Sequence, residues 1–253
     1  MTFPNLVYTE FDTTQQTMIK DIRTAILTSG AWSKINSSSA LVATSASAAA
    51  NATALTFTSG AAAAAGIAIG SVVRIGEDGA ADVEYRTVTA MSATTITVAA
   101  LTYAHASGTN VYDGHEILKA TTSRGANMIV DLMDTHVTVT TSSLNLRTWY
   151  GHNGTTGDSG AARYITWRSN AGVAAAVVHC VLSISKEHIY LSLEGPRAFE
   201  ANTPSTTYGS YRNHFFMSDI VPYFGSDTTP CVYSGGSNTS SYRDWETDRK
   251  SVV

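Results

Sequence analysis

The side chains best suited to chemistry are one serine, seven histidines and a few spaced acids. Ser159 sits in Gly157-Asp158-Ser159-Gly160, and a histidine follows in Ala175-Ala176-Val177-Val178-His179-Cys180. Nucleophilic catalysis would need that serine, a histidine base and a buried carboxylate to converge. Two acid pairs, Asp131 with Asp134 and Glu194 with Glu200, are the nearest candidates for the two carboxyl roles of glycoside cleavage. The histidines are His105, His115, His136, His152, His179, His188 and His214. None stands in an HExxH or similarly tight ligand pattern, so no metal is expected. Gly66-Ile67-Ala68-Ile69-Gly70 lacks the lysine of a phosphate-binding loop, and no cofactor is expected.

The serine segment resembles the serine loop of chymotrypsin-like proteases, and the segment around His179 faintly resembles their histidine motif. The order departs from that family. Its histidine segment lies well before the serine, whereas His179 follows Ser159, and Ala161 stands where the motif continues with glycine. Residues 151–160 are dense in Gly, Asn, Asp and Thr, which is ordinary turn chemistry. Ser159 is therefore expected to be inert, the spaced acids to be solvated, and the chain not to be an enzyme. Cys180 and Cys231 form no CxxC pair and read as two buried free thiols. Asn51-Ala52-Thr53, Asn153-Gly154-Thr155 and Asn238-Thr239-Ser240 match the glycosylation acceptor. No basic start followed by an apolar run stands in residues 1–35, so these sites are expected to be unused.

Most of these residues fall on strands or turns. The helical exception is residues 13–29, where Met18, Ile22, Ala25 and Ile26 recur at helical spacing. Asp12 or Thr13 is expected to cap it, Gly30 to close it in the left-handed conformation, and Trp32 to pack back on the stripe. Residues 1–35 thus read as an N-terminal helical segment, and the Ser/Ala-rich residues 36–52 as a linker. Residues 53–112 read as a small β module with strands near 53–57, 71–75, 83–90, 95–98 and 109–112. Ser92-Ala93-Thr94 is its hairpin connection, and residues 61–67 form one helical turn. Residues 113–242 read as the main β domain. Ile189, Leu191 and Leu193 alternate with His188, Tyr190 and Ser192. Residues 173–185 form a long apolar run ending in a turn at Lys186-Glu187, which is the pattern of a central strand. Residues 195–242, rich in Gly, Pro, Ser and Tyr, are expected to wrap the sheet as long loops.

The expected fold class is mainly β: an antiparallel sheet or sandwich with one N-terminal helix and an inserted small β module. Charged residues make up only 14% of the chain and the net charge is −4, so no nucleic-acid partner is expected. No run approaches the length of a membrane helix, so no membrane insertion is expected either.

Two stretches carry a resemblance. The first comprises Ser71-Val72-Val73-Arg74-Ile75, Glu84-Tyr85-Arg86-Thr87-Val88 and Leu101-Thr102-Tyr103-Ala104-His105-Ala106-Ser107-Gly108. It resembles a small β module that recurs in tail and fibre proteins of tailed bacteriophages. The second runs from Tyr190 to Arg197, then through Tyr208-Gly209-Ser210 and Pro222-Tyr223-Phe224 to Asp227-Thr228 and Pro230. It resembles uncharacterised virion proteins of large tailed phages. The resemblance implies a non-enzymatic structural protein of the virion, in the tail, baseplate or fibre, made in the host cytoplasm. It also implies a homo-oligomer whose partners are other virion proteins. Phe199, Tyr208, Tyr211, Phe215, Phe216 and Tyr223 are the expected subunit interface. The alternative is a receptor- or carbohydrate-binding module of the tail tip that meets a host surface glycan, with a tail-associated hydrolase further behind. At the C-terminus, Asp248-Arg249-Lys250-Ser251-Val252-Val253 is the translation of a common sequencing adapter whose next codon is a stop. Residues 243–253 are therefore expected to be an artefact of an environmental (metagenomic) assembly, and the natural chain to continue beyond them.

Overall fold

Alternation of buried and exposed side chains shapes residues 7–12, 177–184 and 188–193 of this chain. The computed structural model describes residues 6–14, 17–134, 143–149, 152–154, 164–168, 177–194, 212–220 and 231–239. It is mainly β, with antiparallel sheets and, among the described residues, two helices. The expected fold class is what is found.

The long apolar run supplies β14 (Val177–Ile184), in which Val178, Cys180, Leu182 and Ile184 are buried. A tight turn at Lys186-Glu187 leads into β15 (His188–Glu194), and the Ser185 N–H donates to the His188 carbonyl at 2.9 Å. These strands are interior to a five-stranded sheet. On one side lies β1 (Val7–Thr14). On the other lie β16 (Arg212–Ile220) and β17 (Cys231–Thr239), giving the order β1-β14-β15-β16-β17. The expectation of long loops over residues 195–242 is corrected here, because β16 and β17 carry two full strands of the sheet. The strand signal of β16 is short, with Phe215 and Met217 inward and Phe216 outward. That of β17 is diluted by Ser234, Gly235, Gly236 and Ser237, which weaken β propensity.

The second sheet has the order β13-β12-β11-β10-β2. Its strands are β2 (Ser33–Lys34), β10 (Glu116–Thr121), β11 (Asn127–Asp134), β12 (Ser143–Trp149) and β13 (Tyr164–Arg168). Leu118, Val130, Leu132 and Leu146 face the inner side chains of the first sheet across one core. Each such aliphatic side chain contributes roughly 1.5–3 kcal/mol by leaving water. Helix α1 (Met18–Thr28) adds Met18, Ile22 and Ile26 to that core. Trp32 is buried there too, its indole N–H donating to the Ser185 carbonyl at 2.9 Å.

Helix α1 begins later than its apolar spacing suggests. Residues 7–14 pair throughout with β14, from Val7 opposite Ile184 to Thr14 opposite Val177. Asp12 and Thr13 therefore lie in a strand and cannot cap. Thr17 is the N-cap residue, without a side-chain cap bond, and the Thr13 hydroxyl donates instead to Asp21 at 2.5 Å. Gly30 has the expected left-handed backbone, with φ of 70°.

Residues 42–113 form two smaller sheets. One has the order β3-β9-β5-β6, from β3 (Val42–Ala43), β5 (Val72–Ile75), β6 (Glu84–Thr87) and β9 (Asn110–Asp113). The other has the order β4-β8-β7, from β4 (Ala54–Thr56), β7 (Ala90–Met91) and β8 (Thr95–Thr97). Helix α2 (Ala61–Ala64) is one turn long. A second apolar cluster, including Leu55, Phe57, Val73, Ile75, Ile96 and Val111, lies between them. Part of the expected linker belongs here. Val42 pairs with Val111, and Ala48 exchanges two 2.8 Å backbone hydrogen bonds with His105. The chain leaves the module at Gly114, where an added Cβ would lie 2.7–2.8 Å from Val72 and Val73 atoms. Only glycine lets the backbone pass so close.

Candidate functional site

Among the described residues, three polar clusters and one exposed sheet face are the places where this fold could act. The first cluster centres on Glu116 at the start of β10. Its Oε2 receives Arg23 Nε at 3.0 Å and Lys34 Nζ at 2.8 Å, and its Oε1 receives Arg74 Nη1 at 3.3 Å and the Tyr85 hydroxyl at 2.7 Å. Asp78 adds a second anion to Arg23 and Arg74. Five elements thus meet at one buried carboxylate: α1, β2, β5, β6 and β10. Burial pushes the Tyr85 hydroxyl well above its ordinary pKa, and neighbouring Glu116 adds to this. Burial works against a charged Arg23, but Glu116 and Asp78 more than offset it and raise its pKa. Both oxygens of Glu116 are occupied and shut off from solvent, so the cluster is a joint between module and sandwich.

The second cluster pins the module itself. Glu84 Oε1 accepts from His105 Nε2 at 2.7 Å and from the Tyr103 N–H at 3.4 Å. Its Oε2 accepts from the Thr102 N–H at 2.8 Å and pairs with Arg86. Arg86 continues to the Tyr85 carbonyl at 2.7 Å and the Thr102 hydroxyl at 2.9 Å. Burial alone would raise the pKa of Glu84. The bonds from His105 and Thr102 and the charge of Arg86 reverse this and hold it below the usual carboxylate value. A charged Glu84 is an acceptor, so the hydrogen shared with His105 belongs to Nε2. The residues of the first resemblance, Glu84-Tyr85-Arg86 and Leu101 to Gly108, are thereby tied together by side-chain bonds.

The third cluster is the only one of these with chemical reach. His115 Nδ1 stands 3.1 Å from both oxygens of Asp131, which is buried behind it. Arg147 is directly opposite Asp131 on β12, and the Gly154 N–H donates to His152 Nδ1 at 2.9 Å. The Asp131 hydrogen bond raises the pKa of His115 against the opposing effect of burial, whereas burial lowers that of His152. Asp131 orients the His115 ring and leaves Nε2, on a third-exposed side chain, as a proton acceptor. His152 accepts at Nδ1, so in its neutral form Nε2 carries the proton. Among the described residues, no group of three His, Cys, Asp or Glu side chains could hold a metal ion.

Of the sequence candidates, Ser159, His136 and Glu200 lie outside the described residues, as do the side chains of Asp134, Glu194 and His214. His179 holds Asp12 of β1 at 2.9 Å on the outer face of the first sheet. Asp131 is a histidine partner and not a solvated acid. Cys180 is buried, and burial pushes its thiol up to about 12, so it offers no thiolate near neutral pH. Of the expected interface, Phe199, Tyr208, Tyr211 and Tyr223 lie outside the described residues. Phe215 is corrected: it is buried in the sandwich core, because the pleat turns alternate residues of β16 to opposite faces. Phe216 is exposed.

Phe216 belongs to a row that sequence reading missed. Across the first sheet the register runs Tyr8, Ser183, Tyr190, Phe216, Gly235, and the three aromatic side chains are all exposed. Finding this row needs β1 and the register, and neither follows from spacing within one segment. The same holds for Glu116, whose cation partners come from distant parts of the chain.

These features define a class by architecture alone: a mainly antiparallel β-sandwich with an ion-paired small β module joined to it. No protein family, curated protein or solved structure matches the chain.

Proposed function

We propose that this chain is a structural component of a tailed-phage virion, working by burying surface against copies of itself and neighbouring virion proteins. The observation that carries this reading is the module. The stretches that resemble the recurring phage β module come together around Glu84 and His105, over their own apolar cluster. The histidine–aspartate pair at His115 does not by itself argue for an enzyme. Sedimentation velocity of residues 1–242 across the micromolar range tests self-assembly. The reading expects a concentration-dependent oligomer, and a monomer throughout would contradict it.

A second reading, glycan binding at a tail tip, is favoured by the exposed Tyr8, Tyr190 and Phe216 on one sheet face. Tyrosine supplies contact area at low entropy cost. A glycan array probed with the wild type and with Tyr190→Ala separates the readings: hits that Tyr190→Ala abolishes favour glycan binding, and no hits favour assembly.

A further inference from the structure

The first sheet ends in β1, and that edge is built to take another strand. Thr14 shows which way its backbone points. Its N–H donates to the Thr17 hydroxyl at 3.3 Å, and its carbonyl accepts from the Thr17 N–H at 3.1 Å, so both point away from β14. Antiparallel pairing alternates strictly, so the N–H and C=O groups of Tyr8, Glu10 and Asp12 also point off the sheet. Among the described residues no strand pairs with them. This edge of eight residues carries neither lysine nor proline, and its outward charges are the acids Glu10 and Asp12.

The two faces of β1 specify what would fit. On the inner face, Val7 and Phe11 touch the sandwich core but stay only partly buried, whereas Cys180 and Leu182 beside them on β14 are fully buried. A further strand with apolar inner side chains would complete this rim. On the outer face Tyr8, Glu10 and Asp12 are exposed. A second copy of β1 fits poorly, since the central antiparallel registers set Glu10 against Glu10 or Asp12, and directly opposed like charges destabilise a sheet.

We propose that β1 is a docking edge for an extended segment of a neighbouring protein in which apolar residues alternate with lysine or arginine. The apolar residues cover Val7 and Phe11, and the basic ones face Glu10 and Asp12. Main-chain hydrogen bonds supply the pairing and the alternating side chains the selectivity. This names the kind of partner for the virion reading and rests on it.

The test uses the full chain and a short capped peptide of alternating valine and lysine, read by amide hydrogen exchange and fluorescence anisotropy. The peptide is expected to bind saturably and to slow exchange at Tyr8, Glu10 and Asp12. A peptide with glutamate in place of lysine is expected to bind about tenfold more weakly, a difference of roughly 1.4 kcal/mol, and the Glu10→Lys/Asp12→Lys variant should reverse that preference. Glu10→Pro removes an outward-facing N–H together with the Glu10 carboxylate, a change an edge strand tolerates. It should abolish binding while exchange at Thr9 and Phe11 stays slow, which shows that β1 remains folded. Equal binding of both peptides, or saturation without protection of those three amides, would overturn the proposal. So would amides already protected in the free chain, whether by its own residues or, if protection depends on concentration, by a second copy. Absence of the chain from virions would defeat the reading beneath the proposal without altering these exchange results.

Discussion

The sandwich and the module solve the same problem with different material. The sandwich has strands of five to nine residues in its first sheet and in β10–β13, with an inner face of Leu, Ile, Val, Met and Phe. The module has strands of two to four residues. Its fully buried side chains include Arg74 and Arg86, which head the fully buried side chains among the described residues by size. In the first sheet, alternation separates apolar from polar along β1, β14 and β15, whereas β10 and β11 of the second sheet are largely buried on both faces and hold Glu116 and Asp131 inside. In the short strands of the module, charged side chains are taken inside and made to hold loops in place. Buried ion pairs add little stability over an apolar core, but leaving one member unpaired is costly. The module should therefore depend on its buried acids, and the sandwich on its apolar packing.

The largest expected effect is at the joint between the two. Glu116→Ala leaves Arg23, Lys34 and Arg74 buried around an empty place and should cost about 3–5 kcal/mol in chemical denaturation. A loss under about 1 kcal/mol would mean that water or Asp78 takes over, and that the joint is incidental.

In the sandwich, Leu182→Ala creates a cavity in an otherwise apolar core and should cost about 2–5 kcal/mol. Exchange of the module amides between Thr102 and Gly108 should stay unchanged below the global unfolding limit. Acceleration there at the same denaturant concentration would show that the two regions do not respond separately.

Within the module, Glu84→Gln keeps the shape but removes the charge that four donors share. A loss of about 1–3 kcal/mol is expected, with faster exchange at Thr102 and Tyr103. The wild-type contribution has a defined pH window. The pKa of Glu84 is lowered by folding, so its stabilisation is present above the ordinary carboxylate pKa and disappears as pH falls through the lowered value. The gap between wild type and Glu84→Gln should close in acid, and a gap that widens would reverse the sign of the argument.

The smallest effect belongs to His115 on the second sheet. Asp131 raises its pKa, so its stabilisation is full below the unfolded value of about 6.5 and is lost as pH rises through the folded value. His115→Ala should therefore differ most from wild type in mild acid, by a few tenths of a kcal/mol after allowing for solvent screening. A difference independent of pH would assign His115 a packing role only.

Much of this was legible wherever the signal is local. The alternation at Ile189, Leu191 and Leu193, the turn at Lys186-Glu187, the hairpin at Ser92 to Thr94 and the cap at Gly30 are each decided within a few residues. β1 was missed because Asp12 and Thr13 also suit a helix start, and the ladder to β14 outweighs the cap. The clusters at Glu116 and His115 were not legible, because a carboxylate in sequence does not show which distant cation or ring will reach it. His105 stands in no metal-ligand spacing in the sequence, and the geometry gives it a buried partner in Glu84.

The central claim, that this chain is a building block of a virion, is tested most directly by quantitative mass spectrometry of purified particles from a phage that encodes it. The account predicts peptides of this chain in a fixed ratio to the major capsid protein, retained through a density gradient. Peptides found in the lysate but absent from the particles would contradict it.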